Sequence, residues 1–94
     1  MSTGEQIVAR LRSALAAERV DLEDESDRHR GHAGAQSGGG HYRVVVVSAQ
    51  FAGLGRVERQ RAIYAALGDM IPGEIHALSA RAVTPEEWQA KPSP

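Results

Sequence analysis

Valine fills positions 44–47, inside the stretch HYRVVVVS at 41–48. Branching at Cβ crowds a helix and suits a pleated strand. Successive strand residues face opposite ways, so four apolar residues in a row make both faces apolar. Such a strand belongs in the middle of a sheet with cover on either side. The rest of the chain must supply its neighbours within 94 residues. That length makes a single domain, residues 1–94, with a modest core that needs no disulfide or structural metal.

The flanking segments read accordingly. Ile7, Val8, Leu11 and Leu15 recur at helical spacing and predict a helix over 4–18. Thr3 and Gln6 fit a capping box at its start, with Ser2 and Glu5 as the competing register. In RVDLEDES, Val20 and Leu22 alternate with polar residues, which predicts a short edge strand blunted by Asp21, Glu23, Asp24 and Glu25. Residues 26–40, SDRHRGHAGAQSGGG, have no apolar period and predict a long mobile loop that carries His29 and His32.

After the valines, AQFAGLGRVERQRAIYAALGDMI predicts a turn and a long helix. Ile63, Tyr64, Leu67, Met70 and Ile71 form its core face, Arg56, Arg59 and Gln60 lie on the other side, and PGE at 72–74 stops it. A last strand covers about 75–82, with Ile75, Ala77 and Ser79 on one face and His76, Leu78 and Ala80 on the other. TPEEW opens a short helix with Thr84 as N-cap, Pro85 at the first helical position and Glu87 closing a capping box. Trp88 can then fold back on the core. With one Phe, one Trp and two Tyr, the core must be built from Val, Leu, Ile and Ala. The ordered core runs from about 4 to 90, and the tail 91–94 is expected to be disordered. The order αββα(α)βα predicts an α+β two-layer sandwich, a three-stranded mixed sheet with helices on one face.

The same sequence excludes several chemistries. With no cysteine, there is no disulfide framework, thiolate nucleophile or self-contained zinc or iron–sulfur cage. GxSxG, P-loop and HExxH patterns are missing, and no residue stands out as a nucleophile, so the expectation is a protein that is not an enzyme. The carboxylates at 21–27 read as a solvated face. The SGGG stretch leads into a strand instead of a helix N-terminus, which argues against a phosphate cradle. No run approaches the roughly 18 apolar residues of a membrane span. The N-terminus lacks the pattern of a secretory signal, so the expected location is cytoplasmic.

Two constellations remain. His29 and His32 lie in the loop, while His41 and His76 open the central and last strands. His76 can be a half-buried imidazole satisfied by the backbone and the loop pair solvated imidazoles, or they can be ligands of a borderline metal, but two imidazoles alone make a weak site. The second constellation, RVERQR, puts Arg56, Arg59 and Arg61 near the start of the long helix. They read as a solvated face balanced by Glu58 or as phosphate contacts. A net charge of −1 and a single lysine, Lys91, beside ten arginines give no global field toward nucleic acid.

In this order and spacing, LEDES, GHAG, HYRVVVVSAQFAGL, RVERQRAIYAAL and IHALSARAVTPEEW resemble the BolA family over about residues 5–88. The resemblance implies a fold similar to the type II KH fold. The RNA-clamping GXXG loop of KH modules is not matched, since Gly53 and Gly55 in FAGLGR have the wrong spacing. It also implies a monothiol glutaredoxin as partner, in a heterodimer that holds a bridging 2Fe–2S cluster with thiolates from the glutaredoxin and a glutathione, in cluster trafficking or iron regulation. The family motif would make His76 one ligand and His32 the second, with His29 as its substitute; Asp27 stands where many relatives carry a further histidine. Ligation needs neutral imidazole, so assembly should weaken below about pH 6.5. The alternative the family offers is a DNA-binding transcriptional regulator that uses Arg56, Arg59 and Arg61.

Overall fold

The computed structural model describes residues 2–25 and 40–90. The loop expected at 26–40, apart from Gly40, and the tail at 91–94 lie outside the described residues.

Helix α1 (Thr3–Leu15) starts in the competing register: Ser2 Oγ accepts from the Glu5 amide, and Glu5 answers the Ser2 amide. This reciprocal cap draws the Glu5 carboxyl below its ordinary value. Ile7, Leu11 and Leu15 are buried at four-residue intervals. The helix ends with the last residue of its apolar stripe, three residues short of the expected 18, because Ala16 turns left-handed at φ 49°. The chain then reverses, and the Glu18 amide donates to the Val47 carbonyl at 2.9 Å.

The three strands are β1 (Arg19–Asp24), β2 (Gly40–Val47) and β3 (Ile75–Val83). Their order is β1-β2-β3, with β1 antiparallel and β3 parallel to β2. The valine-rich strand is therefore central, as its two apolar faces require. Val44 and Val46 are buried beneath the helices, and Val47, of opposite parity, is also buried. Val20 and Leu22 of β1 lean on the core while Asp21, Glu23 and Asp24 stay exposed.

Helix α2 (Arg56–Leu67) lies beside α1 on the same layer. It ends before PGE, because Gly68 at φ 54° breaks the helix and a short 3-10 turn (Gly68–Met70) follows. Arg10 of α1 donates to the Leu67 carbonyl at 2.8 Å, placing positive charge at the carbonyl end of α2. Ile63, Leu67 and Met70 are buried as expected, but Tyr64 is 44% exposed. Residue 64 lies about 100° around the axis from Ile63 and about 60° from Leu67, at the margin of their stripe.

The core joins Ile7, Leu11, Val44, Val46, Ile63 and Leu67, with Tyr42, Phe51 and Met70 filling the gaps. Aliphatic residues dominate it, yet the one phenylalanine is fully buried. Helix α3 (Pro85–Gln89) has the cap read from the sequence: Thr84 Oγ1 accepts from the Glu87 amide, and Glu87 closes the box. Trp88 is half-buried, with the Arg19 guanidinium 5.1 Å from its ring centroid.

Candidate functional site

Parallel pairing sets the starts of β2 and β3 side by side, so it brings His41 and His76 to one end of the sheet. The register there is irregular. Gly40 pairs with Ile75, but His41 pairs with Ala77. One extra residue, His76, stands in β3 at that step. A bulge of this kind re-aims side chains. Simple alternation would put Ile75 on the face opposite Leu78 and Ala80 and His76 on theirs. Instead Ile75 is fully buried, Leu78 and Ala80 also lean on the core, and His76 is exposed.

The His76 ring meets the His41 ring, with centroids 5.2 Å apart and planes at 42°. His41 is half-buried. By alternation from the buried Tyr42 and Val44, it sits with Arg43 on the sheet face away from α1 and α2. The backbone around the pair is pinned. The Gly40 amide donates to the Glu74 carbonyl at 3.0 Å and the Glu25 amide to the His41 carbonyl at 2.7 Å. Nearby, the Glu25 carboxylate lies 3.4 Å from the Arg43 guanidinium.

His32 and His29, expected as the second and substitute ligands, fall outside the described residues. The imidazole that the structure does bring to His76 is His41, which the sequence reading left without a role. The signal was present: two histidines opening consecutive parallel strands become neighbours. Among the described residues, no three His, Asp or Glu gather as a metal cage.

The other end of β3 meets the start of α2. Arg59, expected on the outer side of that helix, turns inward with a side chain only 15% exposed. Its Nε donates to the Leu54 carbonyl at 2.9 Å, and one terminal nitrogen donates to the Ala82 carbonyl at 3.2 Å. Both terminal nitrogens reach Glu87 of α3, at 2.6 and 3.2 Å. Gln60, also expected outside, donates to the Ala80 carbonyl at 2.8 Å. Hydrogen bonding from Arg59, then from the Thr84 amide, pulls the Glu87 carboxyl down to about 2. The same contact raises Arg59 above its ordinary value.

A groove of about 640 Å³ runs between α2 and β3 here, lined by Arg56, Arg59, Gln60, Arg81 and Glu87 among others. Arg56 and Arg61 are exposed, so two of the three arginines expected to meet phosphate stand in solvent and the third braces the fold.

The family model for BolA-like proteins matches residues 11–87. The chain is 38% identical over 86 residues to BolA-like protein 1 of Mus musculus, covering 92% of this chain and 61% of that protein. It thus spans about three-fifths of the length of that relative. It is 36% identical to the DNA-binding transcriptional regulator BolA of Escherichia coli, covering 95% of this chain and 82% of that one. Among solved structures, the BolA domain of SufE1 from Arabidopsis thaliana superposes with a TM-score of 0.78 at 37% identity, covering 93% of this chain and 96% of that one.

Proposed function

The chain belongs to the BolA-like family, and we propose from this that it is a non-enzymatic partner of a monothiol glutaredoxin, with which it shares a bridging 2Fe–2S cluster. The observation that carries the reading is an exposed imidazole, His76, held on a pinned strand. The donor set fits the group. This chain offers nitrogen and no sulfur, so the thiolates would come from the glutaredoxin and a glutathione. His76 would be one ligand; the second would be His32, with His29 as its substitute. When bound, such a cluster would exchange electrons or move to another acceptor, and imidazole in place of thiolate raises its potential. The place of action is cytoplasmic in this reading. Among the described residues, no helix is long and apolar enough to cross a membrane.

The test mixes the chain with a monothiol glutaredoxin, glutathione, iron and sulfide, and compares wild type with His76→Ala by visible absorption and circular dichroism. A changed or lost cluster spectrum in the variant is expected. A spectrum identical to wild type would remove His76 from the site.

A second reading, DNA binding in transcriptional regulation, draws on the name of the bacterial relative and on exposed Arg56 and Arg61. Phosphate contact by these side chains predicts affinity that falls steeply with salt, and each Ala variant should reduce the log–log slope by about 1. Arg59 would join them only by leaving its contacts to α3. Binding indifferent to salt, or unchanged in the Arg56→Ala/Arg61→Ala double variant, would exclude this surface.

A further inference from the structure

We propose that His41 and His76 together form a two-nitrogen chelate for a divalent transition-metal ion, filled without any partner protein. The proposal shares His76 with the cluster reading but requires neither glutaredoxin nor the loop histidines.

The argument is geometric. Two imidazoles on one tetrahedral ion, each at a metal–nitrogen distance of about 2.0–2.1 Å, hold their ring centroids about 5 Å apart. The observed separation is 5.2 Å. Rings in contact for their own sake favour offset-stacked or edge-to-face arrangements, and 42° between planes is neither. The two backbones are neighbours in a parallel ladder, so little chain entropy remains to be lost on binding.

The bulge is what makes the pair. With regular pairing, His76 would stand on the core side with Leu78; the extra residue puts it beside His41 and in reach of solvent. Imidazole suits Zn²⁺, Ni²⁺, Co²⁺ and Cu²⁺, whereas Mg²⁺ and Ca²⁺ take oxygen ligands. The remaining coordination positions would be filled by water. An open site with two imidazole ligands is weak alone and can accept further donors from another molecule.

The test titrates tag-free full-length protein with ZnCl₂ by calorimetry, followed in parallel by NMR of the imidazole resonances. Wild type, His41→Ala, His76→Ala and the His29→Ala/His32→Ala double variant are compared. Loss of either strand histidine should weaken binding by about tenfold or more, since losing even an outer-shell partner of a metal ligand typically costs that much. The double loop variant should bind as wild type does. His41→Asn and His76→Asn, polar replacements of similar reach, guard against loss of folding and should behave like the alanine variants.

Zn²⁺ binding that survives His41→Ala but not the loop double variant would overturn the proposal, as would wild-type binding no tighter than that of a His41→Ala/His76→Ala double variant. The glutaredoxin reading is judged separately by its cluster spectrum. A His41→Ala protein that loses Zn²⁺ yet keeps the cluster spectrum supports the chelate and leaves that reading standing.

Discussion

The two ends of β3 are built on opposite principles. At the arginine end, Arg56 and Arg81 are exposed, but the central polar side chains are used internally. Arg59 joins the Leu54 and Ala82 carbonyls to Glu87, Gln60 holds the Ala80 carbonyl, and the fully buried Ser48 donates its hydroxyl to Leu15 while its amide bonds Val83. At the histidine end, His76 is exposed and His41 half-buried, with the two rings in contact. The difference shows that charge and residue type alone do not reveal which polar side chains face solvent and which brace the fold. Three arginines in a row of helix look more like a binding surface than one histidine in a strand, yet one of the three is the brace.

Substitutions at the two ends should separate stability from binding. The largest effect is expected from Arg59→Ala. Loss of its charge-assisted bonds to two carbonyls should cost about 3 kcal/mol, or more than about 10 °C in Tm for a domain of this size, with Zn²⁺ binding retained. A variant as stable as wild type would mean that the arginine is ornamental. Next comes Gly40→Ala, the one substitution expected to harm both properties at the histidine end. A Cβ there would stand 2.5 Å from the buried Tyr42 ring. Shifting that ring should cost about 2 kcal/mol and disturb the step that aims His76. Thermal unfolding beside a Zn²⁺ titration checks the pair of effects together.

A smaller effect is expected from acid. The Glu87 carboxyl is depressed in the fold from an ordinary 4.5 to about 2. Its contribution is therefore complete above about pH 4.5 and is lost as pH falls through about 2. Trp88, the only tryptophan, lies next to Glu87 in α3. Its fluorescence should change over that window in wild type and show no such step in Glu87→Gln. The smallest effect should be that of His76→Ala on folding. An exposed side chain in a bulge should change stability by no more than about 0.5 kcal/mol, measured by urea unfolding, although metal binding is lost. A large loss of stability would make His76 a structural residue like Arg59.

The sequence carried much of this architecture in its local chemistry. The valine run named the central strand, and TPEEW named the last helix with its cap, because both signals depend on a few adjacent residues. Two features escaped for physical reasons. Alternation along β3 inverts at the bulge, so a period-two reading begun at Ile75 assigns the later residues to the wrong side. Arg59 lies four residues before Ile63 and eight before Leu67, on their stripe, but its charge argued for solvent and the Glu87 partner is distant in sequence. The pairing of His41 with His76 was legible in principle from parallel order. His29 and His32 lie outside the described residues, so their part in the site is a matter for the cluster and Zn²⁺ experiments.

The contacts from Gln60 and Arg59 to the Ala80 and Ala82 carbonyls have one more consequence. β3 is an outer strand of nine residues, long enough to template the addition of a strand from another molecule. Two of its outward acceptors are already occupied by side chains from α2. A strand added along this stretch would first have to displace an amide and a guanidinium, so the side chains that tie α2 to β3 also blunt part of the sheet's edge.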